Sequence, residues 1–335
     1  MYHPRFKGTH YEIGLKFGER LKKHNVDLNS LIKLDAFQLE HGRRSLAILE
    51  EISPAICAEM QGLADGIRIL FERLTAWFLC MGCCYDPKGC TTLCFIQNGN
   101  VYFGRNNDLP PFLKKNSMNT FYRLDNGYSF IGNTSSMITM EEGFNEHGLV
   151  VAMEFVFPTR IRPGINSVLL VRHLLETCRC VDEVEQNLTS IPIASACNIV
   201  AVDRTGAMAV LECAPHKVVT RRPQHNESFL VSANHFTAPE MQCINPNSVY
   251  ASMTRYDNAY SALHNVKERD GIEFTKNILS GKHGFMCQYD RSLNFETIWS
   301  TVIDLTHKQI FIAEGDPAQA AYKEDTRSKS LFQEK

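Results

Sequence analysis

Asp86-Pro87-Lys88-Gly89-Cys90-Thr91-Thr92-Leu93 divides the sequence between two grammars. On its N-terminal side, from Gly8 to about Phe78, apolar residues recur at helical spacing: Ile13, Phe17 and Leu21 stand four apart. Gly14 and Gly18 share a helix face that a neighbouring backbone can approach closely. Residues 26–41, 43–60 and 67–79 read as further helices. Beyond Gly89 the period changes, and runs of β-branched and aromatic residues alternate with turn pairs such as Asn98-Gly99 and Asn126-Gly127.

The second region predicts strands over 91–96, 101–106, 119–124, 128–132, 137–141, 149–157, 196–203, 207–214, 229–233, 297–304 and 308–313. Helices are expected at 166–178, 181–188, 248–264 and 272–279. Blocks of strands alternating with blocks of helices predict an α+β protein with two stacked, mostly antiparallel sheets between helical layers. The tail from about Lys323 is rich in charge and is expected to be loosely held.

Composition narrows the chemistry. In 335 residues, 44% are hydrophobic and 21% charged, which suits a chain with a sizeable core. Lys and Arg total 35 against 37 Asp and Glu, so no global field draws in nucleic acid or an anionic membrane. No stretch has the length and apolarity of a membrane span, and the first thirty residues lack the pattern of a secretory signal, so a cytoplasmic protein is expected. The twelve cysteines are then expected as free thiols. Phosphate-binding Gly-x-x-x-x-Gly-Lys, Gly-x-Ser-x-Gly and His-Glu-x-x-His patterns are missing from the sequence. No cofactor is expected.

At the dividing stretch, a turn-forming linker ending in Gly89 delivers Cys90 to the first position of a strand. Glycine offers little hindrance to attack on its carbonyl. If the Cys90 thiol attacks there, an N-to-S shift gives a thioester, and hydrolysis leaves Cys90 as a new amino terminus. Its α-amine, with a reference pKa of roughly 7.7–8.0, would then be a built-in base for the thiol. The plainer alternative is a buried strand cysteine. The Asn98-Gly99 turn returns the chain through Gly104-Arg105-Asn106-Asn107-Asp108, and antiparallel pairing sets Arg105 and Asp108 beside Cys90. A guanidinium there favours thiolate, and a carboxylate can orient an amine.

Cysteine, strand, turn and then Gly-Arg-Asn-x-Asp resembles the choloylglycine hydrolases. With an upstream segment ending in Gly-Cys, and with Gly8-Thr9-His10-Tyr11-Glu12-Ile13-Gly14, the chain is similar to the penicillin acyltransferase branch of the same N-terminal-nucleophile superfamily, over about residues 8–315. The resemblance implies a four-layer αββα sandwich in which residues 1–89 form a helical pro-segment and 90–335 the catalytic domain, the two fragments staying associated after cleavage between Gly89 and Cys90. It implies Cys90 as nucleophile, Arg105 on the thiol and Asp108 on the α-amine. Asn234, in Val231-Ser232-Ala233-Asn234-His235-Phe236, matches the oxyanion asparagine. Arg255 in Ser252-Met253-Thr254-Arg255-Tyr256 is the candidate second arginine, with Arg291 its rival. Glu154 stands where bile-salt hydrolases carry an asparagine; its backbone N–H is a further oxyanion candidate, and its carboxylate, with Glu141 and Glu142 nearby, suggests tolerance of a cationic or hydroxylated ligand. The implied substrate is a small-molecule N-acyl amine or N-acyl amino acid, cleaved at a linear amide or used as acyl donor. Relatives with this fold are often oligomeric, so a homo-oligomer is a further expectation.

Two other classes compete. Cys80, Cys83, Cys84, Cys90 and Cys94 lie close together, and Cys80-x-x-Cys83 has zinc-like spacing, yet Cys80 to Cys84 read as a buried helix end with no second Cys-x-x-Cys. No metal is expected. A binding or scaffold protein that keeps the fold without processing itself is the non-enzymatic alternative.

Overall fold

The computed structural model describes residues 1–83, 89–246, 248–266 and 269–332, with the Arg291 side chain excepted. The N-terminal segment carries β1 (Arg5–Gly8), α1 (His10–Lys23), α2 (Leu28–Leu31), α3 (Ala36–Ile52), α4 (Pro54–Ile67) and α5 (Phe71–Cys80). Then come β2 (Gly89–Gln97), β3 (Asn100–Leu109), β4 (Met118–Leu124), β5 (Phe130–Thr134), β6 (Glu142–Asn145), β7 (Leu149–Phe155), α6 (Ser167–Thr177) and α7 (Val181–Ser190). The remainder is β8 (Cys197–Asp203), β9 (Met208–Ala214), β10 (Lys217–Arg221), β11 (Phe229–Ser232), α8 (Pro239–Gln242), α9 (Ser252–His264), α10 (Gly271–Leu279), β12 (Glu296–Asp304), β13 (Gln309–Ala313), β14 (Lys323–Glu324) and α11 (Ser328–Leu331).

The strands form an eight-stranded sheet in the order β1-β4-β5-β6-β7-β8-β9-β10 and a six-stranded sheet in the order β11-β2-β3-β12-β13-β14. Alternation along each strand gives each sheet two apolar faces. Phe103, Val150, Val200 and Ile303 pack between the sheets. Leu93, Phe95 and Val302 face α9 and α10, while Leu149, Val151 and Ile199 face α6 and the N-terminal helices. The result is the expected α+β, four-layer sandwich.

The N-terminal segment is more than a helical cap. Its β1 pairs in parallel with β4 and so completes the edge of the larger sheet. A capping box of Thr9 and Glu12 then starts α1. Gly14 and Gly18 meet α4 backbone: a Cβ at Gly14 would lie 2.0 Å from the Glu59 carbonyl oxygen, and one at Gly62 would lie 2.1 Å from that of Tyr11. Glycines on both helices therefore set the closeness of this crossing.

Four expectations differ from what is found. The helix break lies at Ser53-Pro54, not near residue 42, because Pro54 opens α4 and Asp35 caps α3. The apolar run 137–141 forms no strand: Met137 has φ 58°, and Arg172 and the Met140–Val168 backbone bond tie this stretch to α6. The helix expected from 248 begins at Ser252, since Tyr250 and Ala251 have φ 53° and 52°. The C-terminal tail is docked as far as Leu331, which is buried between the sheets.

Candidate active site

The β2–β3 hairpin has the register Gly89↔Asp108, Cys90↔Asn107, Thr91↔Asn106 and Thr92↔Arg105. Alternation sends Cys90, Thr92, Arg105 and Asn107 toward the larger sheet, and Thr91, Asn106 and Asp108 toward α9 and α10. Cys90 is wholly buried at the start of its strand.

Arg105 donates through Nη2 to Cys90 Sγ at 3.0 Å and to the Met153 carbonyl at 2.8 Å. Its Nη1 donates to Glu142 at 3.1 Å. Cys90 Sγ in turn donates to Asn107 Oδ1 at 3.3 Å. The backbone N–H of Cys90 donates to Asn234 Oδ1 at 2.8 Å. Arg255, fully buried, donates to the Cys90 carbonyl at 2.5 Å, to Asn234 Oδ1 at 2.7 Å and to the Thr91 hydroxyl oxygen. The left-handed turn at Tyr250-Ala251 aims this side chain, and the Tyr250 carbonyl accepts from its Nε at 3.0 Å.

Asp108 lies on the opposite face of the strand from the sulfur. Its carboxylate accepts from Thr297 at 2.6 Å and Tyr289 at 2.8 Å, and stands 3.7 Å from Arg255. In the continuous chain the Cys90 nitrogen is thus held by Asn234, while Asp108 lies within reach of Arg255, which touches both. Asn234 is fixed by its own bond to the Phe155 carbonyl at 2.8 Å. Asn198 steadies the same turn by donating to the carbonyls of Ala233 and His235 at 2.9 and 3.0 Å.

Glu154 is placed differently from its expected role. Its carboxylate accepts from the hydroxyls of Thr92 and Ser232, bridging the two sheets. Met153 N–H donates to the Glu141 carbonyl, so alternation turns the Glu154 N–H the other way, toward β8. Glu142 is occupied by Arg105, Asn133, Trp299 and Thr301, and Glu141 accepts from Ser135. These carboxylates are tied into the protein, which removes the ground for expecting a cationic or hydroxylated ligand. Arg291 begins a short helical turn, and its side chain lies outside the described residues. Cys84 and the linker to Lys88 lie outside them too. Among the described residues no group of three or more His, Cys, Asp or Glu is arranged to hold a metal.

Burial pushes the Cys90 thiol up to about 12, against the opposing pull of Arg105. Burial likewise raises the carboxyls of Asp108 and Glu154. An amide nitrogen has no lone pair to offer a proton, and among the described residues the thiol bonds Arg105 and the Asn107 amide, neither of which can take its proton. Cleavage before Cys90 would supply a base.

A family model described as acyl-coenzyme A:6-aminopenicillanic acid acyl-transferase matches residues 95–319. The chain belongs to this acyl-transferase family. The matched region begins beyond Cys90 and takes in Arg105, Asp108, Asn234 and Arg255. Among solved structures, a variant of conjugated bile acid hydrolase from Clostridium perfringens is 15% identical, with 73% of this chain and 95% of that one covered and a TM-score of 0.51. Penicillin V acylase from Agrobacterium tumefaciens is 16% identical over 67% of this chain and 83% of its own, with a TM-score of 0.46. At 15% identity the likeness to the bile acid hydrolase is one of fold. Membership in the acyl-transferase family makes the protein an enzyme of acyl transfer. Among the described residues no helix is long and apolar enough to cross a membrane.

Sequence reasoning missed Asn107, Tyr289 and Thr297. Asn107 was legible, because strand alternation sets it on the face of Cys90 once the hairpin register is known. Tyr289 and Thr297 reach Asp108 from a distant loop and strand, and no local pattern marks them.

Proposed function

We propose that this member of the acyl-transferase family is a cysteine N-terminal-nucleophile enzyme. It cleaves its own Gly89–Cys90 bond, then hydrolyses a linear amide of a small N-acyl amine or N-acyl amino acid, or passes the acyl group to another amine. The observation that carries the reading is the separate holding of Cys90 sulfur by Arg105 and Cys90 nitrogen by Asn234, at the first residues of a strand.

In self-processing, the thiol adds to the Gly89 carbonyl carbon. A C–S bond forms, the C–N bond to Cys90 breaks, and the thiol proton passes to nitrogen. Water then hydrolyses the thioester, leaving a Gly89 carboxylate, a free thiol and an α-amine. Glycine suits this position: a Cβ at Gly89 would lie 2.7 Å from the Phe295 ring. In turnover, the amine takes the thiol proton and the thiolate attacks the substrate carbonyl. Arg105 steadies the thiolate, Asp108 and Asn234 orient the amine, and the Asn234 amide serves the oxyanion. Arg255 locks Asn234 against the Cys90 carbonyl. Protonation lets the amine product leave, and water or a second amine takes the acyl group.

Residues 1–89 and 90–335 are then two fragments of one fold, which the β1–β4 pairing and the buried Glu59–Arg172 and His10–Glu176 contacts hold together. The test is the intact mass and amino-terminal sequence of wild type beside Cys90→Ala. Two chains in wild type, the larger starting at Cys90, with one chain in the variant and loss of N-acyl amide turnover, are expected. A wild-type chain that stays whole across pH and reductant would refute self-processing and favour a binding or scaffold role.

A further inference from the structure

Asn107 is wholly buried beside the thiol, and its two polar atoms are treated unequally. Oδ1 accepts the thiol hydrogen at 3.3 Å, whereas Nδ2 is buried with no hydrogen-bond partner among the described residues. Buried amide N–H groups are nearly always paired, so an unpaired one on the side chain that bonds the thiol marks a position that a ligand atom fills. Asn107 lies between Cys90 on β2 and Trp299 on β12, beside a bulge in β12 between Thr297 and Trp299, and Trp299 spends its own N–H on Glu142 at 3.1 Å. A second unpaired donor, Arg105 Nε, lies two residues away on the same strand face.

We propose that Asn107 is a catalytic residue, whose Nδ2–H donates to the carbonyl oxygen of the acyl group attacked by Cys90. This rests on the reading of Cys90 as nucleophile. While the enzyme is at rest, Oδ1 holds the thiol hydrogen and orients sulfur. When the α-amine removes that proton and a C–S bond forms, the carbonyl π electrons move onto oxygen, and Nδ2 donates to the new oxyanion. A preorganised side-chain donor needs no rearrangement at that moment. The ligand class is therefore a compound whose acyl carbonyl enters between Cys90 and Asn107, an amide or an activated ester alike.

The experiment is steady-state turnover of an N-acyl amide and of the matching thioester by the processed wild type, Asn107→Leu and Asn107→Asp, with intact mass and melting temperature as controls. Asn107→Leu keeps the shape and removes both polar atoms, and a fall in kcat on the order of 10²–10³-fold, with KM little changed, is expected. Asn107→Asp keeps an acceptor for the thiol and removes the donor. It should lose kcat comparably and also move the basic thiol's limb of the pH profile upward through its charge. If Asn107→Leu does not fold, Asn107→Asp decides alone: near wild-type kcat in either folded variant overturns the proposal. A wild type without Cys90-dependent turnover overturns the nucleophile reading and this proposal with it. An active wild type beside an equally active Asn107 variant overturns this proposal only.

Discussion

Two buried arginines anchor two clusters in this protein, and they are finished to different degrees. Arg172, on α6, donates to Glu59 at 2.5 Å, to the Ile138 carbonyl at 2.7 Å and to Glu176, so that each of its nitrogens has a partner. Its guanidinium also lies 4.1 Å over the Tyr122 ring, and Tyr122 donates to Glu59 at 2.9 Å. Glu176 binds His10 at 2.9 Å, which joins α1, α4 and α6 in one network. Arg105 serves a thiol as well as a carboxylate, and its Nε has no partner among the described residues; Asn107 Nδ2 on the same strand face is also unpaired. A structural cluster satisfies its polar atoms, whereas a site that awaits a reacting group leaves some in reserve.

Exchanging the arginines for methionine should separate the two uses most widely. Arg172→Met leaves Glu59 and Glu176 without their cation, and removing one partner of a buried pair costs about 3–5 kcal/mol. Glu59 belongs to the N-terminal fragment, so urea unfolding should shift to much lower concentration and the fragments of processed protein should part on gel filtration in mild urea. Arg105→Met leaves Glu142 with Asn133, Trp299 and Thr301 as donors. Its unfolding midpoint should fall clearly less, while acyl turnover drops on the order of 10²-fold or more as the thiolate loses its cation. Equal loss of stability in the two variants would break the comparison.

The two clusters were also unequally legible in the sequence. The Cys90 side was readable because a hairpin carries it: a turn at Asn98-Gly99 and a period of two bring Arg105 to the Cys90 thiol, while the same register sets Asp108 opposite Gly89, on the other face of the strand. The fold followed from the same alternation, with helices recognised by their spacing. Arg172, Glu59 and Glu176 gave no signal, since a charged residue on an amphipathic helix reads as solvated surface until the helices are packed. β1 was missed because Arg5-Phe6-Lys7-Gly8 is too short to show a period, and becomes a strand only by pairing with β4. The expected strand at 137–141 failed for the reverse reason: its apolar residues are buried against α6, without pairing in the sheet.

Acid sharpens the contrast at the next level of energy. Burial, aided by Arg221 and Arg255, lowers the His235 imidazole to about 4. Its Nδ1 bonds the Ser252 hydroxyl at 2.7 Å, next to Asn234. Between pH 6.5 and 4 the unfolded chain binds a proton at this position that the folded protein refuses, so stability rises with pH across that window and is fully present above it. The loss on acidification from this one group reaches at most about 3 kcal/mol. His41, His147 and His173 are lowered by burial in the same direction. His235→Gln should flatten the slope of unfolding free energy against pH in this window by up to about one proton. An unchanged slope would mean that His235 is already charged when folded, and would contradict its packing beside two arginines.

The smallest effect concerns Asp108, whose ionisation the proposed chemistry requires. Burial raises its carboxyl above the usual range, while Arg255 and the hydroxyls of Thr297 and Tyr289 pull it back. Tyr289→Phe removes one of those donors and keeps the ring, which packs edge-on to Phe295 with centroids 5.0 Å apart. The stability cost should be near that of one buried hydrogen bond, about 1 kcal/mol. The sign of the functional change is fixed by the lost donor: Asp108 becomes harder to ionise, so the acid limb of kcat/KM against pH should move to higher pH while the plateau is nearly kept. An acid limb that stays in place would mean that Asp108 protonation does not limit the reaction. Tyr289 would then belong with Arg172, among groups that hold the fold and leave the chemistry to others.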